Sequence, residues 1–394
     1  MSRRAGQEVV VVGGGVVGAA CALGLARLGL QVALVEGRAP TRWTPEQADL
    51  RVYAFAPDNA ALLQSLGVWD AVRSARAQPY RAMRVWDAAG GGELVFDADR
   101  LGRPQLGWIV EHGLLVDRLW AALPQAGVQL HAPAEVEGLE QDEAGVRLRL
   151  QGGQRLDARL VVAADGAQST LRRLAGLDVQ THDYGQSGLV AYVRTELPHQ
   201  DTAWQRFLPG GPVAFLPATQ GRSSIVWSLP QEEAQLRLTQ PPEAFEQALG
   251  RAFEGRLGKV SLDSERALFP LRRQLATQYV AGRVMLMGDA AHVVHPLAGQ
   301  GVNLGLRDVS AWLAQVRQAQ ARGADWATPH RLARWARVRS SENTAAAYTF
   351  DGLNTLFSND ELHTTLARGK LLGLAGKLPP LTRLLWSRAA GSKE

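Results

Sequence analysis

A chain of 394 residues with 46% hydrophobic and 21% charged side chains has the composition of an ordinary globular protein, long enough for two domains or one large composite. The formal excess of +5 is carried by residues 362–394, where Arg368, Lys370, Lys377, Arg383, Arg388 and Lys393 stand against Glu394 alone; the rest is close to neutral, which excludes a broad nucleic-acid surface. The single cysteine, Cys21, excludes an internal disulfide framework and fits a reducing compartment.

Residues 9–26, VVVVGGGVVGAACALGLA, carry no charge and imitate a membrane helix or signal peptide on hydropathy. Glu8 directly precedes them, however, and four valines followed by three glycines are poor helix material. The segment reads instead as a buried parallel strand, a glycine turn and a helix to about residue 27, followed by a second strand, QVALVE. Gly13, Gly15 and Gly18 complete G-x-G-x-x-G. One glycine permits the tight turn, one lets backbone approach a pyrophosphate, and one lets the helix pack on the strand. The helix N-terminus then offers unpaired N–H groups to the phosphates. Glu36, 18 residues beyond Gly18, closes the second strand where a carboxylate accepts from both ribose hydroxyls and disfavours a 2′-phosphate. The ligand class is an adenine dinucleotide, FAD or NAD.

Further along, RLVVAADGAQSTLRR (159–173) is another apolar strand, ending at Asp165 with Ser169 and Arg172 starting a helix. Residues 179–275 alternate as strands, predicting a sheet over the ligand that walls a pocket, with Trp204, Phe207, Phe215 and Trp227 as core and pocket wall. VMLMGDAAH (284–292) repeats the strand plan and puts Asp289 at a carboxyl end, where ligands collect and a ribityl hydroxyl could be held. Asp289, His292 and His295 stand three apart, but Pro296 disfavours helical geometry at His295 and no cysteine or acidic cluster joins them, so no metal is expected. Gly299 and Gly301 instead open a helix, GVNLGLRDVSAWLAQV, whose free N–H groups can face an anion such as the N1–C2=O edge of a reduced isoalloxazine. A second G-x-G-x-x-G for a nicotinamide domain is absent, and the flavin is the better ligand. His295 has two readings: a group that helps a phenol lose its proton, or a hydrogen-bonded structural histidine.

The G-x-G-x-x-G with Glu36, DLR at 49–51, ADGAQSTLR and GDAAHVVHPLAGQGVNLGLRDV resemble the class A flavoprotein monooxygenases with the para-hydroxybenzoate hydroxylase fold. HPLAGQGVNLGLRDV and the tail FDGLNTLFSND…LLGLAGKLPPLTRLLWSRAAG are similar to the branch that hydroxylates ubiquinone precursors, and the likeness runs from about residue 7 to 391. The resemblance implies an α/β fold. A Rossmann-like FAD-binding domain is assembled from separated segments (1–75, 106–178 and 276–322), with substrate-domain parts at 76–105 and a β-sheet at 179–275, and a C-terminal helical region at 323–394. It implies FAD contacts from Gly13, Gly15, Gly18, Glu36, Arg51, Asp289, Gly299 and the backbone of Gly301, Val302 and Asn303. Val136 would offer backbone on the adenine side, while Asp165 and Arg172 belong to a motif linked to FAD and NAD(P)H. His112 departs from the pattern, standing where relatives often carry Asn or Arg before the helix near Leu114.

The same resemblance implies the chemistry. NAD(P)H or another reductant reduces FAD, O2 adds at C4a, and the C4a-hydroperoxyflavin transfers OH to an electron-rich, prenylated ring, with His295 as the candidate catalytic side chain. Two alternatives stay open: a hydroxylase of a soluble aromatic or antibiotic-like compound, and a flavin-bearing scaffold subunit without turnover. The reading places the chain in the cytoplasm. Residues 362–391 either touch an anionic inner membrane face or a biosynthetic complex, or pack on their own domain, since Pro379 and Pro380 break any long amphipathic helix.

Overall fold

The computed structural model describes residues 6–357 apart from 48, 89–91, 144 and 296–300, with backbone alone for 353–357. The first strand, Gln7–Val12, is β-branched and buried on both faces, and so forms the centre of a sheet covered by helices. Its neighbours are Val32–Val35 on one side and Arg155–Ala163 on the other, both parallel; Gln129–His131 and Val284–Leu286 extend the parallel array outward. Register is what builds the site. Val12 lies opposite Val35 and Ala163, and Ala163 opposite Leu286, so four segments far apart in sequence end level on one edge. An antiparallel hairpin, Val136–Gln141 with Val146–Leu150, pairs with Arg155–Ala163, and the short strand Val280–Ala281, antiparallel to Val284–Leu286, forms the edge.

A second, nine-stranded sheet is organised around one long strand, Val179–Thr195, paired antiparallel with Arg222–Pro230 and Ala267–Ala276. Strands Ala82–Asp87 and Glu93–Asp97 join its far side through the parallel pairing of Ala82 with Thr202. The predicted alternation of strands over 179–275 missed two helices, Gln231–Thr239 and Pro242–Ala252, which cover the sheet's outer face. Phe245, Ala248 and Leu249 carried the signal, spaced three and four apart on the buried side of the second helix. Beneath these helices lie Trp204, Phe215 and Trp227, packed with Phe253, while Phe207 packs with Val85 and Leu94. All four predicted aromatics are therefore core, and none lines the large cavity described below.

Helices Val16–Arg27 and Gly301–Ala321 pack together against the first sheet. Gly24 allows the close approach, because a Cβ there would stand 2.4 Å from Leu313 Cδ1. Helix Pro329–Phe357 packs on the second of these. No helix among the described residues is long and apolar enough to cross a membrane. The tail at 362–391 lies outside the described residues.

Candidate cofactor and active site

The level strand ends open into a cavity of about 960 Å³, near the upper end of the range for small-molecule sites. One half is walled by the parallel sheet's edge: Gly13, Gly15, Glu36, Val136, Asp165 and Asp289, with Arg51, Gly301 and Val302. The other half runs under the second sheet and is mostly apolar, with Gly188, Val190, Leu216, Val226 and Leu271 facing it. Segments separated by nearly three hundred residues thus enclose one space.

The three glycines of the first turn do different work. A Cβ on Gly18 would stand 1.9 Å from the Gly13 carbonyl oxygen, and Gly13 itself has φ +102° with Ala164 O 2.2 Å from its would-be Cβ. Both are glycine because backbone packs there. Gly15 differs: nothing among the described residues lies within 4 Å of its would-be Cβ, and its φ of −66° suits any residue. Only something entering the cavity gives a reason for glycine at 15, so the turn fits a closely approaching phosphate. Gly301 likewise has no described residue within 4 Å of its would-be Cβ.

Glu36 is held by the Gly14 amide at 2.5 Å and the Arg38 amide at 3.1 Å, which fixes its carboxylate at the end of its strand. Asp165 accepts from Ser169 Oγ at 2.5 Å and from the Leu171 amide at 3.1 Å, so it also caps helix Thr170–Leu174. Arg172 is buried and donates to the carbonyls of Ala290 and Ala167, each at 2.8 Å, stapling this turn to the one bearing Asp289. Asp289 faces the cavity with no ion-pair partner among the described residues. Gly299 lies outside the described residues. Asn303 does not line the cavity: its side chain accepts from the Ala56 amide at 3.0 Å and donates to Ala54 O at 2.8 Å, bracing the start of the long helix against the segment that follows Arg51.

Asp289, His292 and His295 do not share a face. Gly288–Ala290 is a 3-10 turn and His292–Val293 a short strand, and His292 turns inward to donate to Asp308 at 2.6 Å. Asp308 is the residue that sequence reasoning missed. Fully buried, it also accepts from the Gly288 amide at 3.1 Å, Arg339 Nε at 2.7 Å and Asn343 Nδ2 at 3.0 Å. Burial alone would raise its pKa, but His292, Arg339 and Asn343 together hold it down at about 2. The arrangement anchors the turn bearing Asp289 to two long helices.

His295 is 1% exposed, meets the Tyr184 ring edge-on at 5.0 Å, and leaves both ring nitrogens without a partner among the described residues. It is not among the residues lining the cavity, whose wall here is Val293 and Val294. Burial lowers its pKa to about 4, with Asp351 opposing. An unfolded histidine titrates near 6.5, so below that pH the unfolded chain takes up a proton that the native state refuses. The stability of the neutral, buried form is therefore complete above about pH 6.5 and is lost as pH falls toward 4, by about 3 kcal/mol for a shift of this size. Denaturant titrations at pH 7 and pH 4.5 should show His295→Gln losing markedly less stability on acidification than the unaltered protein. Equal losses would mean that His295 is not buried in its neutral form.

Comparison with known proteins agrees with this geometry. A family model described as FAD binding domain matches residues 7–341. The chain is 39% identical over 356 residues to the 3-demethoxyubiquinol 3-hydroxylase of Escherichia coli, covering 90% of each protein. It is 37% identical over 387 residues to the ubiquinone hydroxylase UbiL of Rhodospirillum rubrum, covering 98% of this chain and 90% of that one. The crystal structure of p-nitrophenol 4-monooxygenase from Pseudomonas putida superposes with a TM-score of 0.79 at 21% identity, covering 98% of this chain and 99% of the other, a likeness of fold.

Proposed function

This chain belongs to the FAD binding domain family of flavin-dependent monooxygenases, and from that premise we propose that it hydroxylates the ring of a prenylated ubiquinone precursor. The observation that supports the substrate class is the continuity of the cavity: the dinucleotide edge opens directly into a space walled by Val190, Leu216, Val226 and Leu271. Such walls suit an apolar aromatic ring and keep water from the reacting centre. Phe269 lines the same space yet is 45% exposed, so the apolar passage reaches the surface where a prenyl chain could trail.

Bound FAD supplies the redox chemistry, drawing on O2 and on NAD(P)H or another reductant. The chain's own residues bind and orient. Gly15 admits the diphosphate, Glu36 holds the ribose hydroxyls, Asp289 accepts from the ribityl chain, and Val136 offers backbone toward the adenine. The N-terminal end of helix Gly301–Ala321, the positive end of its dipole, would favour negative charge on the reduced ring. In this reading Asp165 and Arg172 shape the turn between the two strand ends, and His295 stands outside the cavity. The basic segment 362–391 would bring the protein to an anionic membrane surface, where such a substrate resides.

Supplying the FAD-loaded protein with reductant, O2 and a prenylated phenol should yield a product one oxygen heavier, while the same phenol lacking its prenyl chain is turned over poorly. Equal turnover of the short phenol would favour a soluble aromatic substrate. Reductant consumption with no hydroxylated product from either compound would count against a hydroxylase of this class.

A further inference from the structure

The C-terminal end of helix Gly301–Ala321 meets the start of helix Pro329–Phe357 in a second groove, to which the reading above assigns no part. Its volume is about 650 Å³, within the usual range for a ligand cavity. Gln315, Gln318 and Arg322 stand on one wall, and His330, Arg331 and Arg334 on the other. The connection between the helices is fixed from within: Arg159 holds Asp325 at 2.7 Å, and Arg283 donates to Ala327 O at 2.9 Å. The 21 residues of the first helix place this groove roughly 20–30 Å from the end that lines the cofactor cavity. It is a separate feature.

Its charge is one-sided. Between residues 310 and 341 stand six arginines and a single acid, Asp325. Arg339 is buried against Asp308, whereas Arg322, Arg331 and Arg334 have no ion-pair partner among the described residues. Asp325 is engaged elsewhere, since besides Arg159 it accepts from the Ala327 amide at 2.9 Å. The second helix has no acid in its first turn and carries His330 and Arg331 there, at the positive end of its dipole, where cations cost stability. A local rule broken without a compensating contact marks a functional position.

We propose that this groove docks an acidic peptide segment of a partner protein, with Arg322, Arg331 and Arg334 pairing its carboxylates. Arg337 continues the row of Arg331 and Arg334 by one turn, so the cationic stripe runs about 9 Å along the helix, more than one phosphate spans. The facing wall adds acceptors. Gln315 Nε2 donates to Arg331 O at 3.0 Å, which leaves its Oε1, together with the exposed amide of Gln318, to accept from a peptide N–H. An inorganic anion has no use for an acceptor. A membrane surface also fits less well, because interfacial binding adds buried apolar area to charge, and Val338 is the one large exposed apolar side chain described on this half of the helix. The chain's own segment 362–394 is basic and does not complement the groove.

The test is fluorescence anisotropy of a labelled oligoglutamate peptide with the full-length, FAD-loaded protein, using oligoglutamine as the uncharged control. Oligoglutamate should bind and oligoglutamine should not. Arg331→Gln with Arg334→Gln should weaken oligoglutamate about tenfold or more, with FAD content unchanged, because glutamine keeps both positions helical. The same loss of charge elsewhere, in Arg100→Gln with Arg155→Gln, should change it by less than about threefold. Gln318→Leu should weaken the peptide about threefold and leave inorganic tripolyphosphate unaffected. Oligoglutamate affinity that survives the groove substitutions, falls equally in the control pair, or is untouched by Gln318→Leu would overturn the proposal. So would a groove that binds tripolyphosphate or phosphatidylglycerol vesicles but not the peptide, which would assign it to a phosphate or to a membrane.

Discussion

Gly15→Val is expected to give a folded protein that no longer retains FAD. No described residue lies within 4 Å of the position a Cβ would take, and the φ of −66° and ψ of −176° at this residue are comfortable for a β-branched side chain. The cost to the fold is confined to a poorer helix N-cap, about 1 kcal/mol or less. The new methyl groups occupy the volume through which the diphosphate approaches the turn, so affinity should fall at least about a thousandfold, or about 4 kcal/mol. Gly18→Ala makes the opposite contrast: its Cβ would stand 1.9 Å from a backbone oxygen, and the strand-to-helix turn itself must open. Calorimetric titration of the Gly15 variant with FAD, alongside urea unfolding of both apoproteins, separates the two effects. Tight FAD binding by Gly15→Val would mean that the cofactor does not pass over this turn.

Asp308→Ala should destabilise the protein by about 3–5 kcal/mol, the range for breaking a buried ion pair from one side. Its carboxylate is fully buried and satisfies Gly288 N, His292, Arg339 and Asn343 at once. Removal leaves Arg339, 3% exposed, with Asn343 and the half-exposed carboxylate of Glu342. Removing both charges, as in Asp308→Ala with Arg339→Leu, should recover part of the loss, because the larger penalty comes from the uncompensated cation. Because Asp308 is held at about 2, its contribution is present above the ordinary aspartate range near 4 and is lost only as pH falls toward 2. FAD affinity should fall in the same variant, since the Gly288 amide tethers the turn that carries Asp289. Stability within about 1 kcal/mol of the unaltered protein would show that the cluster is not an anchor.

Much of the site was legible in sequence because its signals are local. The valine run, the spacing of Gly13, Gly15 and Gly18, and the acid at the end of the next strand all lie within thirty residues, where sterics and periodicity determine geometry directly. Gly288 and Asp289 were readable for the same reason, as a repeat of strand and turn. Their meeting also followed, since parallel strands buried on both faces end on a common edge.

What stayed hidden are the pairings between distant segments. Asp308 was visible only as one acid on a helix; its partners stand 16, 31 and 35 residues away and reach it through the packing of two helices against a turn. Tyr53 and His112 meet because one strand pairs antiparallel with another, a register that neither sequence segment specifies alone. The four aromatics of the second sheet read as core and pocket wall together, because alternation tells that a strand has two faces and not which one is covered by helices. Sequence by itself determined the dinucleotide turn and the flavin class, which depend on short-range backbone geometry. The tertiary structure alone decided which polar side chains anchor the turn, which face the cavity and which leave His295 outside it, because these depend on long-range register and burial.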